Sequence, residues 1–295
     1  MKTLAEIRQK YQKKLDFLDL ELLIAHIIKK PREFVLAHPE YELDKFKIEN
    51  LKLKIARRAK HEPIAYILGH KEFFGLEFRV DENTLIPRPE TELLIEEVLQ
   101  EFQDTRYNPE YSGQNTKIID VGTGSGNIIV SLAKNLESKK IKFVGIDISE
   151  KALRIAKQNA KKNKVDKKIK FLKGSLLEPF KKYSLLTTHY SLLILANLPY
   201  LSKKIYSSTP VDVKKYEPKS ALISGTDGLN HYKKLFKQIK KIYVSCFMLN
   251  VTCFVEISPE QKPRIQKLIK IQFPEAKIEF KKDLAGKWRL LVIKL

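Results

Sequence analysis

The sequence predicts an α/β protein with a Rossmann-like, mostly parallel seven-stranded sheet, preceded by a small helical bundle and a β-hairpin linker. From Lys117 onward, short apolar runs typical of strands alternate with amphipathic helical patterns, which favours parallel strands covered by helices on both faces. One of these runs leads directly into a glycine-rich turn, as in folds that bind a ligand at the carboxyl ends of their strands. We therefore expect three regions, over residues 1–72, 73–108 and 109–295.

The first region shows helical spacing and no β-like alternation. Its apolar residues recur at near-helical intervals over Leu18–Ile28, Phe34–Leu36 and Leu51–Ile55. Pro31 separates the first two groups, because proline is tolerated at the start of a helix but not within one. We expect several short helices that pack as a bundle.

The second region changes to alternating spacing. Phe74–Val80 alternates large apolar residues with glycine or charged residues, which predicts a strand. Asp81–Asn83 predicts a turn, and Thr84–Ile86 is expected to pair back as the second strand of a hairpin. An amphipathic helix is predicted over Thr91–Phe102, followed by a polar loop over Gln103–Thr116.

The third region supplies the sheet and its covering helices. The predicted strands are Ile118–Val121, Lys142–Ile146, Ile169–Leu172, Leu192–Ala196, Val251–Ile257, Ala276–Phe280 and Arg289–Ile293. The predicted helices are Gly126–Leu136, Lys151–Lys162, Leu229–Ile239 and Pro259–Ile271. The last two strands are joined by a short connection, which favours an antiparallel hairpin.

The chain is strongly basic, with a formal net charge of +21 and 56 lysine and arginine residues. The excess is dense between Lys151 and Lys182. Such a surface attracts polyanions and speeds encounters with acidic partners, so proximity to RNA or the ribosome is one interpretation. A general lysine bias in composition is the other. Because lysine far outnumbers arginine, we expect steering rather than specific phosphate binding.

Several features of the sequence predict a cytoplasmic protein with no membrane association. No apolar stretch approaches the roughly 20 residues of a membrane helix, and the amino terminus has no apolar signal core. The two cysteines, Cys246 and Cys253, lie in an apolar segment and are expected to be buried and reduced. The six histidines show no ligand spacing, so we expect no metal. Nothing in the sequence suggests an obligate dimer, and we expect a monomer.

A cofactor-binding turn is predicted at Gly122-Thr123-Gly124-Ser125-Gly126, between a strand and a helix. Glycine lets the backbone approach a ligand closely and accepts a positive φ. Asp147, which ends the next strand, is close to the position that binds ribose hydroxyls in such folds. The pattern departs from the G-x-G-x-x-G of dinucleotide binders, which makes NAD less favoured. The plain alternatives are a tight turn for the glycines and a cap or turn residue for Asp147.

An acceptor-binding turn is predicted at Asn197-Leu198-Pro199-Tyr200, where a buried apolar strand ends. A planar NH2 group is a poor nucleophile, and it must be held in line for attack. The Asn197 side-chain oxygen and the Leu198 main-chain oxygen can each accept one of its hydrogens. Pro199 stiffens the turn, while Tyr200 can pack on the acceptor plane and stabilise a neighbouring cation. Together with the glycine turn, this predicts methyl transfer to nitrogen; the alternative for Asn197 is a turn residue.

Further strings give the chain a specific resemblance. His61–Gly69, Phe73–Leu76, Leu85–Glu92, Tyr216–Pro218 with Ala221–Leu229, and Asp283–Gly286 with Arg289 closely resemble the bacterial peptide chain release factor N5-glutamine methyltransferases. The resemblance spans residues 15 to 291, and the Ile86–Glu92 string does not belong to methyltransferases in general.

The resemblance implies a class I S-adenosylmethionine-dependent methyltransferase domain over 109–295 and a substrate-recognition domain over 1–72. It implies methylation of the glutamine amide in the Gly-Gly-Gln loop of class I release factors. It implies that S-adenosylmethionine is bound by Gly122, Thr123, Gly124, Ser125, Gly126, Asp147, Ser175, Leu176 and Asn197. It implies that the acceptor glutamine is bound by Asn197, Leu198, Pro199 and Tyr200. Of these, Asn197, Pro199 and Tyr200 would be the catalytic residues. Arg88, Glu90 and Glu92 would lie near the wall of the active site, or serve as an ion-paired linker.

Two positions depart from the family pattern. Leu198 replaces the first proline of Asn-Pro-Pro-Tyr, which preserves the main-chain oxygen but removes rigidity. Asn-Leu-Pro-Tyr also resembles the ribosomal RNA adenine dimethyltransferases, so adenine N6 methylation of RNA or DNA is the alternative function; a non-catalytic RNA-binding protein is a third. The family often has an aspartate near the adenine after the third strand, where this chain has Ser175.

Overall fold

The structure is a computed structural model that describes residues 1–103, 115–182, 190–245 and 250–295. The chain divides into two compact units, one comprising residues 1–70 and 210–216 and the other residues 71–209 and 217–295. The predicted boundary at 108/109 lies outside the described residues, as does Cys246. No helix among the described residues combines the length and apolar character needed to cross a bilayer.

The first unit is built mainly from helices, as its spacing predicts. Its helices are α1 (Leu4–Tyr11), α2 (Phe17–Ile28), α3 (Arg32–Ala37), α4 (Lys45–Ala59) and α5 (Ile64–Leu68). Side chains cap three of them: Thr3, Asp16 and Asp44 accept hydrogen bonds from backbone N–H groups of the first turn. The spacing did not predict the two short strands of this unit, β1 (Lys2–Thr3) and β2 (Glu42–Leu43), which pair antiparallel. Two residues per strand are too few to show alternation.

The linker forms a hairpin in a different place from the prediction. Strands β3 (His70–Phe73) and β4 (Leu76–Arg79) pair with each other, and Phe74-Gly75 forms the two-residue turn. Both turn residues have positive φ, at 50° and 68°, as a tight hairpin requires. Thr84–Ile86 is not a strand, so the predicted return strand was wrong. A 3₁₀ turn at Pro89–Thr91 then leads into α6 (Glu92–Gln103).

The second unit contains the predicted seven-stranded sheet, in the order β10-β11-β9-β8-β5-β6-β7. Its strands are β5 (Asn115–Val121), β6 (Ile141–Asp147), β7 (Ile169–Lys173), β8 (Tyr190–Ala196), β9 (Val251–Glu256), β10 (Lys277–Lys282) and β11 (Trp288–Lys294). Strands β5 to β9 are parallel, whereas β11 is antiparallel to both β9 and β10. The α/β prediction and the terminal hairpin are therefore confirmed.

Helices cover both faces of this sheet. They are α6, α7 (Asn127–Asn135), α8 (Glu150–Lys162), α11 (Asn230–Ser245) and α12 (Lys262–Gln272). Two short helices are also present: α9 (Lys203–Ser208), and α10 (Val211–Tyr216), which belongs to the first unit. Alternate residues of β8 enter different cores: Leu192 and Ile194 join one, and Leu193 and Leu195 the other. Cys253 of β9 is buried, as expected. The sequence pattern missed α9 and α10, which are only six residues each and contain no buried residue.

Candidate active site

The candidate site lies where the strand order of the sheet reverses direction. Strands β5 and β8 are parallel neighbours, and Val121 is the register partner of Ala196. The next residues, Gly122 and Asn197, therefore leave the sheet side by side at its carboxyl edge. In α/β sheets, ligands bind at this kind of switch point. The two turns predicted from the sequence thus meet at one place.

A cavity of about 470 Å³ lies at this edge. It is lined by most of the predicted site residues: Gly122, Thr123, Gly124, Ser125, Asp147, Ser175, Leu176, Asn197, Leu198 and Pro199. Gly126 and Tyr200 are not in its lining. Gly126 instead caps the amino terminus of α7, with φ of 81°. Tyr200 is partly buried against the core, and burial raises the pKa of its hydroxyl above the ordinary value.

A wider depression of about 960 Å³ lies at the opposite end of β5, β6 and β7. Lys117, Lys142 and Lys170 are among the residues that line it. It lies at the amino ends of parallel strands, where such folds do not bind their ligands, whereas the smaller cavity is at the carboxyl ends. We therefore place the candidate site in the smaller cavity.

The glycine turn is shaped to bring main chain close to a ligand. Gly122 has φ of 75°, and a Cβ atom there would lie 2.9 Å from Leu198 Cδ2. The Gly124 N–H donates a hydrogen bond of 2.9 Å to Asp147 Oδ2, which ties this turn to the end of β6. The main chain of Ser125 is held in place by α8, because the side-chain Nδ2 of buried Asn159 donates a hydrogen bond of 2.8 Å to its carbonyl oxygen. The turn is therefore held in place and lines the cavity with Gly122 and Gly124, which carry no side chain and leave room for a cofactor.

Two carboxylates stand close behind this turn. Asp147 Oδ1 accepts a hydrogen bond from the Ser149 N–H at 2.8 Å, and burial raises the pKa of Asp147. Asp120 is fully buried in β5 and accepts a 2.6 Å hydrogen bond from the Thr123 hydroxyl. Burial raises the pKa of Asp120 to about 7. Asp147 lines the cavity and can accept hydrogen bonds from a ligand, whereas Asp120 holds the turn in place.

The acceptor turn is held through three separate hydrogen bonds. The Asn197 side-chain Nδ2 donates to Thr91 Oγ1 at 3.0 Å, and the Leu198 N–H donates to the Tyr232 hydroxyl at 3.3 Å. Gln261 Nε2 donates to the Tyr200 carbonyl oxygen at 3.3 Å. Because Nδ2 of Asn197 is directed at Thr91, Oδ1 is the atom of this amide that can accept a hydrogen from a substrate.

Glu256, the last residue of β9, joins two of these contacts. The Thr91 hydroxyl donates to its Oε2 at 2.6 Å, and the Tyr232 hydroxyl donates to its main-chain oxygen at 2.5 Å. Its side chain is buried, and that burial raises its pKa to about 7. Glu256 therefore supports the side chain of Asn197 through Thr91 and the main chain of Leu198 through Tyr232.

The charged residues of the linker have separate partners. Arg88 lines the cavity and forms an ion pair with Glu217, whose side chain is 1% exposed and also accepts the Ile86 N–H at 3.2 Å. Glu92 accepts the Phe74 N–H at 2.8 Å and so supports the hairpin turn. Of the predicted wall residues, Arg88 is thus in the cavity, while Glu92 holds the linker and Glu90 lies 3.8 Å from Arg289.

Comparisons with known proteins agree with this geometry. Residues 4–69 match the PrmC N-terminal domain, and residues 112–254 match a methyltransferase domain. A release factor glutamine methyltransferase of Dictyoglomus turgidum is 36% identical over 94% of this chain and 90% of that protein. The corresponding enzyme of Thermodesulfovibrio yellowstonii is 32% identical over 99% of this chain and 98% of that protein.

The chain belongs to the release factor glutamine methyltransferase family. The family resemblance predicted from the sequence is thereby confirmed. Among solved structures, the human METTL16 catalytic domain in complex with an RNA hairpin has a TM-score of 0.53 at 19% identity, covering 81% of each chain. At this identity the likeness shows the fold alone, and it agrees with the predicted methyltransferase architecture.

Within this family fold, sequence reasoning missed the residues that hold the acceptor turn. Thr91 stands in the family-specific string but was given no role, and neither Glu256, Tyr232 nor Gln261 was singled out. One signal was available: Glu256 is a charged residue at the end of an otherwise apolar strand, and such residues need a specific partner when buried. The partner itself, 165 positions away in the chain, could not be found from spacing.

Proposed function

We propose that this chain transfers the methyl group of S-adenosylmethionine to the side-chain amide nitrogen of the glutamine in the Gly-Gly-Gln loop of class I release factors. The observation that carries the proposal is the placement of the Asn197 turn beside the Gly122 turn at the switch point of the sheet. One turn is shaped for a cofactor and the other for a planar NH2 group. Methyltransferases of this class use S-adenosylmethionine as donor.

The residues present fit that donor. Main chain at Gly122 and Gly124, the carboxylate of Asp147 and the loop at Ser175 and Leu176 all line one cavity. When bound, the donor supplies a methyl group already attached to a good leaving group. Asp147 is proposed to accept hydrogen bonds from the ribose, and the 174–176 loop to lie against the adenine. Ser175 stands where the family often has an aspartate.

The acceptor side needs positioning more than acid–base chemistry. Asn197 Oδ1 and the Leu198 carbonyl oxygen are proposed to accept the two hydrogens of the glutamine NH2 group, which aims its nitrogen lone pair at the methyl group. The nitrogen becomes cationic as the bond forms, so a proton can leave afterwards without a strong base. Pro199 limits the freedom of the turn, and Tyr200 is proposed to pack on the acceptor plane. Leu198 is buried, so packing supplies rigidity where the family usually has proline.

The adenine alternative is not favoured, because the relatives that match nearly the whole chain are named for release factor glutamine. The test is to incubate the purified chain with methyl-labelled S-adenosylmethionine and either a class I release factor or ribosomal RNA. Mass analysis of the Gly-Gly-Gln peptide is expected to show one added methyl group on glutamine. Label found only in RNA would contradict the proposal.

The basic surface is proposed to steer the acidic partner and to bring the enzyme close to RNA. Exposed cations on α8 and the following turn include Lys151, Arg154, Lys157, Lys161 and Lys164. If they steer, added salt should slow association with the release factor, since surface charges are screened within about 10 Å at 0.1 M salt. An association rate independent of salt would contradict steering.

We further propose that the enzyme works as a monomer in the cytoplasm, where release factors act.

A further inference from the structure

We infer that Glu256, acting through Thr91, is a positioning residue that determines which end of the Asn197 side-chain amide faces the acceptor glutamine. This inference rests on the proposed function, because it concerns how the same site orients its substrate. It assigns a role to Thr91, which lines the cavity beside Asn197, and to Glu256, which is not in the lining. It also explains why a glutamate is buried at the carboxyl end of β9.

The contacts form one continuous hydrogen-bonded chain. Asn197 Nδ2 donates to Thr91 Oγ1 at 3.0 Å, and the Thr91 hydroxyl donates to Glu256 Oε2 at 2.6 Å. Thr91 and Glu256 are 1% and 3% exposed, so the hydrogen bond between them is shielded from water. The chain therefore connects the acceptor turn to a rigid central element of the sheet.

The direction of these hydrogen bonds follows from which groups on Asn197, Thr91 and Glu256 can donate a proton. A carboxylate can only accept hydrogen bonds, whereas a hydroxyl has one proton to donate. When ionised Glu256 takes the Thr91 proton, Thr91 can only accept from Asn197. Asn197 must then place its NH2 group toward Thr91 and its Oδ1 toward the acceptor. With the amide reversed, an NH2 group would face the NH2 group of the substrate, and no hydrogen bond could form.

The main chain of Glu256 supports the second half of the acceptor site. Its carbonyl oxygen accepts the Tyr232 hydroxyl proton at 2.5 Å, and that hydroxyl in turn accepts the Leu198 N–H at 3.3 Å. This contact holds the Asn197–Leu198 peptide unit, which directly precedes the Leu198 carbonyl group. Glu256 therefore supports the Asn197 amide through its side chain and the peptide unit before the Leu198 carbonyl through its backbone.

The charge of Glu256 depends on several groups around it. Its burial raises its pKa to about 7, and the nearby carboxylate of Glu90 acts in the same direction. The Thr91 hydroxyl, Arg289 of β11 and Arg88 of the linker act against this rise. Tyr232 and Tyr200 also lie in its field. Once Glu256 is protonated, Thr91 is no longer restricted to accepting a hydrogen bond from Asn197. The rate of methylation should therefore fall as the pH decreases through about 7.

The experiment compares two changes at Thr91 in the full chain. Thr91→Val keeps the shape and loses the hydroxyl, whereas Thr91→Ser keeps the hydroxyl and loses a methyl group. We expect Thr91→Val to lower kcat on the order of 100-fold, with donor Kd largely unchanged, because misorientation of a reacting group has effects of this size. We expect Thr91→Ser to retain most of the turnover. Thr116→Val, at the far end of β5, is the control for a buried threonine.

A second variant tests the charge itself. Glu256→Gln keeps the size of the side chain, but an amide can both donate and accept, so it no longer imposes a direction on Thr91. We expect a lower kcat at high pH and loss of the fall in kcat on the acid side of pH 7. Melting temperatures of all variants show which of them remain folded.

The outcomes separate this inference from the proposed function. If the wild-type chain methylates the release factor and Thr91→Val is as active as Thr91→Ser, the inference is overturned and the function stands. The same holds if folded Glu256→Gln keeps the wild-type pH profile. If the wild-type chain does not methylate glutamine, the proposed function fails, and the inference fails with it.

Discussion

Val121 and Ala196 are register partners in the adjacent parallel strands β5 and β8, and this pairing sets the whole candidate site. The next residue of each strand, Gly122 or Asn197, begins a turn that lines one cavity. A sheet register is difficult to shift, because a slip by one residue would turn every buried side chain to the wrong face. The distance between the proposed donor and acceptor positions is therefore fixed by the core of the protein.

Asn197→Ala should remove most of the turnover and leave donor binding largely intact. The change deletes Oδ1, which is proposed to accept one glutamine hydrogen, and loss of one such positioning group has effects of about 100-fold or more on rate. Single-turnover methylation of a release factor, together with calorimetric titration of S-adenosylmethionine, measures the two effects separately. Near-normal turnover in this variant would show that the acceptor assignment is wrong.

Asp147→Asn should weaken donor binding more than it changes the chemical step. Asp147 accepts hydrogen bonds from the Gly124 and Ser149 N–H groups, and an asparagine can keep only the contacts made by its one oxygen. We expect a rise in the donor Kd, measured by equilibrium dialysis, with kcat at saturating donor closer to that of the wild type. Asp166→Asn is a matched control, because Asp166 is exposed beyond the end of α8. An unchanged Kd would remove Asp147 from the donor site.

Gly228→Ala should disturb the acceptor turn from behind. A Cβ atom at Gly228, where φ is 75°, would collide with the main-chain oxygen of Tyr200. That oxygen cannot move without shifting the turn, so both stability and kcat should fall. Gly286→Ala carries a similar φ of 74° with nothing within 4 Å, and it measures the backbone strain alone. Equal kcat values in the two variants would mean that the close approach to Tyr200 has no role in catalysis.

Arg88→Ala should destabilise the fold more than loss of a surface ion pair does. Glu217 is buried, and without Arg88 its charge would lose its only ion-pair partner among the described residues. Removing one partner of a buried pair costs about 3–5 kcal/mol, and since Arg88 is itself one-third exposed we expect about 2 kcal/mol. Lys162→Ala, which breaks a half-exposed pair with Glu77, should cost about 0–1 kcal/mol. Urea denaturation measures both; equal losses would contradict the prediction.

Asp120→Asn should flatten the pH dependence of stability. The pKa of Asp120 is about 7 in the folded chain, against an ordinary value of 3.8. Between these values the folded state keeps a proton that the unfolded state releases, so this group makes stability fall as pH rises, by about 1.4 kcal/mol per pH unit. Asparagine cannot ionise, so the wild type should lose stability relative to the variant from pH 5 to pH 7. Parallel curves of unfolding free energy against pH would contradict this expectation.

Most of the sheet could be predicted because parallel strands buried on both faces are apolar along their whole length. Leu192–Ala196 is the clearest case, and all seven predicted strands are present with ends within three residues. The hairpin was misplaced for the opposite reason. Alternation over Phe74–Val80 is compatible with a turn at either end of the strand. The residue type gives no sign that Phe74 has a positive φ, because it is apolar and aromatic.

The sequence by itself determined the sheet, the family and the two turns that supply the proposed donor and acceptor contacts. These are local features, since strand pattern, glycine spacing and a tetrapeptide lie within a few residues of one another. The tertiary structure alone decided how Asn197 is oriented, because Thr91 lies 106 positions before it and Glu256 lies 165 positions beyond Thr91. A hydrogen bond acts over about 3 Å in space and leaves no periodic trace along the chain, so such partners become visible only when folding brings them together.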